Sequence, residues 1–240
     1  MHRYRYFSPE PAHRELGYEL YSRIAALPLI CPHGHVDPQI FVDPAFRFPN
    51  PVELLIIPDH YVLRMLYSQG IPLQKLGVQT ESKGKLSEQD YRTIWQLFAD
   101  HFHLFRATPS GIWLRDELRD VFDIEEKLCG NNAQDMYAAL QDKLRQESFA
   151  PRTLFKRFNI EMLATTDTAT DPLSYHQSIQ ASEWTGKVIP TFRPDAVLNI
   201  SSAGWKIAIQ QLGERCGFEI ANYKSFIHAL ENRREYFKSM

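Results

Sequence analysis

The first segment of the chain carries apolar residues at helical spacing. They recur every three or four positions, as expected for one face of an α-helix: Leu16, Leu20, Ile24 and Leu27. Ser8 stands in the position of an N-cap and Pro9 in that of a first helical residue, so we expect the helix to begin there. Pro28 predicts its end, and the apolar residues 29–31 that follow predict a short strand.

A long stretch, residues 51–158, carries helical patterns and no convincing strand pattern. Helix starts are indicated by capping residues, namely Ser87-x-x-Asp90, Thr108-Pro109 and Asn132. The apolar residues after these caps share helical faces: Ile94, Trp95, Phe98, Phe102, Leu114, Leu118, Val121, Met136, Leu140 and Leu144. We therefore expect a helical block between strands.

Strand patterns return in the last third of the chain, at residues 159–166 and 187–192. Helical patterns cover 173–182, 203–212 and 222–238. Strands that alternate with helices favour parallel β/α units. A (β/α)₈ barrel needs roughly 250 residues, and the helical block takes up much of this 240-residue chain. The pattern therefore fits either part of a barrel or a fold that is not a barrel.

Composition excludes several classes of partner. The chain is 44% hydrophobic and 23% charged, with a formal net charge of -2, so nothing favours binding to nucleic acid or to an anionic membrane. No apolar run is long enough to cross a bilayer. Cys31, Cys129 and Cys216 are odd in number and far apart, which disfavours a disulfide framework and predicts a cytoplasmic protein.

Two histidines, His33 and His35, follow the predicted strand at 29–31 directly. On an extended segment, residues i and i+2 point to the same face, so both imidazoles can reach one metal ion. The end of a buried strand is also where α/β folds place their functional sites. The alternative interpretation is a loop with two solvated histidines.

Polar residues follow the later strands as well. Thr166 and Asp167 end one strand, and Arg193 and Asp195 end the next. A guanidinium fixed at a strand end suits bidentate capture of a carboxylate, although a structural ion pair of Arg193 with Asp195 is the alternative. Asp167 is equally interpretable as the cap of the helix that follows it.

The segment Pro58-Asp59-His60-Tyr61 places an acid, a possible base and a phenol before a helix that we expect to end at Gly70. In isolation it reads as a helix cap by Asp59. Other groups are interpreted as structural. His101 and His103 are surface or packing residues, because i and i+2 do not share a helical face. Core positions are predicted for Trp95, Trp113, Trp184 and Trp205.

Four segments together resemble the uronate isomerases, the glucuronate isomerase family within the amidohydrolase superfamily. They are Pro-His-Gly-His-Val-Asp-Pro at 32–38, Pro-Asp-His-Tyr-Val-Leu-Arg-Met-Leu-Tyr-Ser-Gln-Gly at 58–70, Ala-Thr-Thr-Asp-Thr at 164–168 and Pro-Thr-Phe-Arg-Pro-Asp at 190–195. Each motif is modest alone, but four in this order are specific. The leading helix and the helical block extend the resemblance over essentially the whole chain.

The resemblance implies a metal-dependent (β/α)₈ TIM barrel that isomerises hexuronates between aldose and ketose through an enediol. The pairs are D-glucuronate with D-fructuronate and D-galacturonate with D-tagaturonate. Residues 1–240 would form the N-terminal part of one α/β TIM-barrel domain, with a helical insertion at about 51–158 after strand one. The barrel would be incomplete, because the family's later half, with its strand-eight aspartate ligand, has no counterpart here.

Carried over by position, the resemblance makes His33 and His35 the metal ligands. It puts His60 and Tyr61 beside the reacting end of the sugar as catalytic residues, and Arg193 with Asp195 on the substrate. The expected cofactor is a divalent metal, with zinc as the default. The expected partners are a hexuronate substrate and either a second copy, giving a homo-oligomer, or a missing C-terminal half.

Two alternatives remain at this point: a metal-dependent hydrolase of the same superfamily, and an inactive truncated product. Thr-Thr-Asp and Phe-Arg-Pro-Asp stand where such hydrolases carry further lysine or histidine ligands, which favours the isomerase. If half of the barrel is missing, the helix at 222–238 should turn apolar residues toward absent strands, leaving the chain oligomeric or poorly soluble. Those residues are Phe226, Ile227, Leu230 and Phe237.

Overall fold

The computed structural model describes residues 4–78 and 86–240. The chain divides into two compact units. Residues 1–43 and 155–240 form what we call the α/β unit, and residues 44–154 form the helical unit. The first strand and the later strands of the α/β unit are therefore separated in sequence by the whole helical unit.

The described residues form eleven α-helices and five short strands, numbered in chain order. The helices are α1 (Pro11–Ile24), α2 (Pro51–Leu55), α3 (His60–Tyr67), α4 (Glu88–Asp100), α5 (Pro109–Asp116), α6 (Ala133–Leu144), α7 (Pro151–Arg157), α8 (Ser174–Gln180), α9 (Asp195–Leu198), α10 (Trp205–Cys216) and α11 (Tyr223–Lys238). The strands are β1 (Leu29–Cys31), β2 (Ile160–Ala164), β3 (Asp167–Thr168), β4 (Lys187–Ile189) and β5 (Phe192–Arg193).

All strand pairs in the described residues are parallel. β2 lies between β1 and β4 in one sheet, and β3 pairs with β5 in a second. The predicted strands at 29–31 and 159–166 are confirmed as β1 and β2, with β3 just beyond the second, whereas the one predicted at 187–192 is split into β4 and the start of β5. The parallel pairing confirms the β/α interpretation, because antiparallel neighbours would have excluded it.

Two apolar clusters hold the α/β unit together. The first packs the sheet against α7, α8 and the short 3₁₀ helix at 38–41, with Phe41 stacked on the Trp184 ring at 5.3 Å between centroids. The second lies among α9, α10 and α11, where Val197, Leu212 and Ala229 are almost completely buried. Aromatic stacking adds to the area buried by these side chains.

The helical unit has one continuous apolar core. Trp95 of α4 is completely buried, and its Nε1 donates to the Ala133 carbonyl oxygen at 2.8 Å, so its one polar atom is satisfied. Around it lie buried residues from several helices: Val52, Ile56, Leu66, Phe98, Phe105, Tyr137, Leu140 and Leu144. Within the described residues 44–78 and 86–154 there is no strand, as predicted, and residues 79–85 lie outside the described residues.

The predicted caps of the helical unit hold with one exception. Ser87 and Asp90 form the capping box of α4, and the Thr108 hydroxyl accepts from the Gly111 amide at the start of α5. Asn132 does precede α6, but its side chain does not cap that helix. Its Oδ1 instead accepts from the Cys129 amide, so the prediction of a side-chain cap there is wrong.

The first helix begins later than predicted, at Pro11. Glu10 is the N-cap, because its carboxylate accepts from the His13 amide at 2.7 Å, whereas the Ser8 hydroxyl accepts from the Glu10 amide outside the helix. The helix also buries none of its residues. The apolar stripe that predicted it is more than half exposed at Leu16, Leu20, Ile24 and Leu27.

The expectation for the last helix is wrong in part. Phe226 and Leu230 of α11 pack into the cluster with α10, and Phe237 is buried with its ring edge-on to Phe192 at 5.2 Å. Helix α11 therefore finds partners within the α/β unit, and exposed apolar surface is found on α1 and β1 instead. None of the helices in the described part of the chain is long and apolar enough to cross a membrane.

The packing of the helical unit makes a stability prediction at Leu140, which is completely buried in α6. Leu140→Ala should lower the free energy of unfolding by about 2–5 kcal/mol, because it removes buried methyl groups and leaves a cavity. Asp142→Ala, two residues along the same helix but exposed, should change it by less than about 0.5 kcal/mol. Urea unfolding followed by tryptophan fluorescence measures both; equal losses in the two variants would contradict the described core.

Candidate active site at the strand ends

The two histidines after β1 converge. The Nε2 atoms of His33 and His35 lie 3.1 Å apart, with the ring centroids 4.9 Å apart and the rings nearly perpendicular. Both side chains are exposed. The prediction that an extended segment brings the imidazoles to the same face is confirmed.

The loop that carries these histidines crosses the carboxyl end of β2. A Cβ atom at Gly34 would lie 3.1 Å from the Ala164 carbonyl oxygen, the last residue of β2, so only glycine passes here without displacing a neighbour. Asp37 then ends the loop, because its Oδ1 accepts from the Gln39 amide at 2.9 Å and caps the 3₁₀ helix at 38–41. The sequence His-Gly-His-Val-Asp-Pro thus encodes a short arch over the sheet.

The histidine pair fits a metal ion as part of its ligand set. Two nitrogens bound to one tetrahedral zinc lie about 3.3 Å apart, close to the observed 3.1 Å between the Nε2 atoms of His33 and His35. The same distance also allows an N–H···N hydrogen bond. The described residues contain no group of three or more histidine, cysteine, aspartate or glutamate side chains that would complete a metal site.

Arg193 lies at the end of β5, opposite Thr168 of β3 in the parallel register. Its Nε donates to Asp195 Oδ2 at 3.1 Å, and the side chains of Arg193 and Asp195 are 45% and 71% exposed. The structural ion pair that we considered from sequence is therefore present. An exposed pair of this kind is worth little stability, so it orients the guanidinium without masking its charge from solvent.

Asp167 does not cap the helix that follows it, in contrast to one of the two sequence interpretations. It is 6% exposed, and its Oδ2 accepts from the Thr165 hydroxyl at 2.6 Å and from the Thr191 amide at 3.2 Å. At the start of α8 the carboxylate that accepts from the backbone is that of Asp171, whose Oδ1 accepts from the Leu173 amide at 2.7 Å. The carboxylate of Asp167 thus links the segment that follows β2 to the segment that follows β4.

Sequence analysis missed His176 of α8, which is 1% exposed. Its Nε2 lies 2.9 Å from Thr165 Oγ1, and its Nδ1 is buried without a hydrogen-bond partner in the structure. Burial lowers the pKa of His176, and the nearby carboxylates of Asp167 and Asp171 oppose that shift. The available signal was its spacing: His176 and the apolar Ile179 share one face of a predicted helix.

His60 and Tyr61 belong to the helical unit, at the first turn of α3. Asp59 is the N-cap, as predicted, and its Oδ1 accepts from the Tyr61 amide at 2.7 Å and from the Val62 amide at 3.1 Å. Because Val62 and the next residue are buried, the helix is anchored on one side and holds the His60 and Tyr61 side chains exposed on the other.

The residues assigned structural roles divide into confirmed and corrected cases. His101 and His103 each bond a backbone carbonyl of α4 through Nδ1, at 2.8 and 3.1 Å. Trp95 is in the core, as predicted. Trp113 is 59% exposed, so its assignment to the core is wrong: in an eight-residue helix only one narrow face is covered.

The comparisons with known proteins decide the family. The sequence model of glucuronate isomerase matches residues 11–240. The chain belongs to the glucuronate isomerase family. It is 52% identical over 236 residues to the uronate isomerase of Nostoc punctiforme and 44% identical over 234 residues to that of Brucella canis. The resemblance drawn from four short motifs is confirmed.

Solved structures of the glucuronate isomerase family give the same result for the fold. A glucuronate isomerase from Caulobacter crescentus matches with a TM-score of 0.94 at 39% identity, and a uronate isomerase from Thermotoga maritima with 0.81 at 25%. The matches cover 100% and 94% of this chain but 49% and 47% of those chains. The curated relatives from Nostoc and Brucella are likewise covered over 49% and 50% of their length, so the chain spans about half of each.

The burial of His176 predicts how stability depends on pH. Its pKa in the folded state lies below the unfolded value of about 6.5, so the unfolded state binds the proton more readily. Stability should therefore fall as pH drops below about 6.5, by at most about 1.4 kcal/mol per pH unit from this group. In His176→Gln this part of the slope should vanish, whereas His228→Gln, at an exposed histidine, should keep it. Urea unfolding between pH 7.5 and 5.0 measures the slopes; identical slopes in wild type and His176→Gln would refute the assignment.

Proposed function

We propose that this chain supplies the metal-binding and substrate-binding part of a uronate isomerase. The reaction is the aldose–ketose isomerisation of a hexuronate, D-glucuronate to D-fructuronate or D-galacturonate to D-tagaturonate. The observation that carries the proposal is the convergent pair His33 and His35, 3.1 Å apart after a parallel strand, in a member of the glucuronate isomerase family. The strand-end cation Arg193 supports it.

In this proposal His33 and His35 hold a divalent ion, with zinc as our choice among the ions that imidazole nitrogens bind. The spacing of the two Nε2 atoms supports that assignment. When bound there, a divalent ion would supply Lewis acidity toward the carbonyl oxygen of the open-chain sugar. The described residues offer no third ligand side chain beside this pair, so the remaining ligands would be water, substrate oxygens or residues outside the described part of the chain.

Arg193 is our candidate for the hexuronate itself. The substrate carries a carboxylate and several hydroxyl groups, and a planar guanidinium matches a carboxylate with two parallel hydrogen bonds. Asp195 bonds Nε in this structure and would both orient the guanidinium and accept from a sugar hydroxyl. This pairing gives a physical reason for preferring uronates over neutral sugars.

The isomerisation moves the carbonyl group from C1 to C2. The proton on C2 is removed, an enediol forms, and a proton is delivered to C1, while the O2 hydroxyl loses its proton and O1 gains one. His60 and Tyr61 are our candidates for these transfers, because an imidazole and a phenol can each give and accept a proton. Their exposure at the start of α3 supports the assignment.

We further propose that residues 1–240 are the first part of one (β/α)₈ barrel, with the helical segment at about 51–158 inserted after strand one, and that a second half completes it. The order β1-β2-β4 leaves β1 and β4 each with one neighbour in the described residues, and unpaired edges are absent from closed barrels. A groove of about 650 Å³ lies along the β4 and β5 side, lined by Ile189, Phe192 and Phe237 among others. Exposed Leu29 and Ile30 mark the β1 side.

The metal assignment predicts the effect of removing one imidazole. His33→Ala should weaken zinc binding by about tenfold or more, because one of two nitrogen ligands is lost. His13→Ala is the control, since His13 is an exposed histidine of α1. Isothermal titration with zinc on chains purified without added metal measures both. Equal affinity in the wild type and His33→Ala would contradict the assignment.

The activity itself is tested by complementation. Residues 1–240 mixed with zinc and the C-terminal half of the Nostoc relative should convert glucuronate to the ketose, whereas either half alone should not. Arg193→Ala should raise KM on the order of 10- to 100-fold through loss of a charged hydrogen bond, and Arg145→Ala, an exposed arginine of the helical unit, should not.

Three results of that assay count against the proposals. A mixture in which both halves fold but no ketose forms would refute the isomerase. Full activity from residues 1–240 alone would refute the need for a second half. An unchanged KM in Arg193→Ala would refute its contact with the substrate.

A further inference from the structure

Strand β2 is separated from β3, and β4 from β5, by two residues each. The pairing register is the same on both sides of this interruption. Amides on one side donate to carbonyls on the other in regular steps: Thr165 to Ile189 at 2.9 Å, Asp167 to Thr191 at 3.0 Å and Ala169 to Arg193 at 2.9 Å. Leu163 faces Val188 before the interruption, and Asp167 faces Phe192 after it, with the same sequence offset. Only the return hydrogen bond at the interruption is altered.

That return bond is made by a side chain. In an unbroken parallel ladder of this register, the Thr191 amide would donate to the Thr165 carbonyl oxygen. Here it donates to Asp167 Oδ2 at 3.2 Å. Asp167 therefore binds Thr191 twice, through its own amide and through its carboxylate, and separates β4 from β5 without leaving the Thr191 amide unpaired.

Thr165 and His176 fix the Asp167 carboxylate from behind. The Thr165 hydroxyl donates to Asp167 Oδ2 across 2.6 Å, and this contact is shorter than its other one, to the Ile189 carbonyl oxygen at 3.2 Å. The same oxygen of Thr165 then accepts from His176, 2.9 Å away, which assigns the hydrogen of the neutral imidazole to Nε2. The three side chains are 0%, 6% and 1% exposed, so water does not compete for these contacts.

The backbone around this cluster is held on its far side as well. Arg233 of α11 is 4% exposed, and it donates through Nε to the Ala169 carbonyl oxygen at 2.9 Å and through Nη2 to that of Asp171 at 2.6 Å. The chain leaving β3 is thus fixed before it enters α8. Because the segment that carries Asp167 is held on both sides, Asp167 determines the position of Thr191 and not the reverse.

We propose that Asp167, backed by Thr165 and His176, is a positioning residue for Arg193. Thr191 lies two residues before Arg193, and the Arg193 carbonyl is itself bonded to Ala169, so both sides of Arg193 are set by the same segment. The cluster thereby fixes the direction in which β5 presents the guanidinium beside Asp195. The use of this guanidinium for a substrate carboxylate rests on the proposed function.

The test compares two substitutions of Thr165 that differ in whether the hydroxyl group is kept. Thr165→Val keeps the shape of the side chain but removes the hydroxyl, whereas Thr165→Ser keeps the hydroxyl. The readouts on residues 1–240 are the NMR signal of the Arg193 side-chain Nε–H, assigned with Arg193→Lys, and the affinity for added glucuronate. Thr165→Val should displace the signal and weaken glucuronate binding by about tenfold, and Thr165→Ser should leave binding within about twofold.

Two further variants separate positioning from loss of stability. Ile179→Val shortens a buried side chain of α8 on the face that carries His176, so it should destabilise the unit without moving the Arg193 signal. Asp167→Asn retains one oxygen that can accept both hydrogen bonds, so it should preserve the signal better than Asp167→Ala. If Asp167→Ala does not fold, the comparison of Thr165→Val with Thr165→Ser still tests the positioning role.

An Arg193 signal that is unmoved in Thr165→Val, or moved equally in Ile179→Val, overturns the positioning role. A signal that moves as expected supports it even if glucuronate binds neither the wild type nor any variant. In that last case the substrate contact of Arg193, and not the positioning by Asp167, is what fails.

Discussion

The parallel pairing of β2 with a strand on each side is the interaction on which the candidate site depends. Parallel strands end at the same edge of a sheet, so the residues that follow them lie along that edge whatever their separation in sequence. His33 and His35 reach that edge after β1, Asp167 after β2 and Arg193 after β4. Reversing any strand would send its polar residues to the opposite edge, where no chemistry could combine them.

Patterns that repeat within one element were readable from the sequence. The capping box of Ser87 and Asp90, the Asp59 cap and the strand at 29–31 depend on neighbours a few residues away, and all were confirmed. The convergence of His33 and His35 was readable for the same reason, since alternation along an extended backbone determines it. Local rules were enough at these positions, although the caps predicted at Ser8 and Asn132 are local as well and were wrong.

Features that depend on contacts between distant segments were not readable. His176 meets Thr165 only because α8 folds back onto the sheet, and a single histidine in a helical pattern gives no sign of that partner. The exposure of the α1 stripe was missed for a related reason, because periodicity shows that a face is apolar and not what covers it. Asn132 shows that capping signals also fail locally: its Oδ1 accepts from the preceding Cys129 amide and not from an amide of α6.

Holding two strands together through the buried cluster of Thr165, Asp167 and His176 carries a desolvation penalty. A carboxylate out of water needs full compensation, and apolar residues of similar volume would often be as stable. Apolar residues, however, offer no acceptor for the Thr191 amide, and the interruption between β4 and β5 would then leave that amide unpaired. The desolvation penalty is explained by the interruption between β4 and β5, which lies directly before Arg193 and needs an acceptor for the Thr191 amide. The bare Nδ1 of His176 is the part of the cost that remains uncompensated, and it makes the folded state vulnerable to acid at this point.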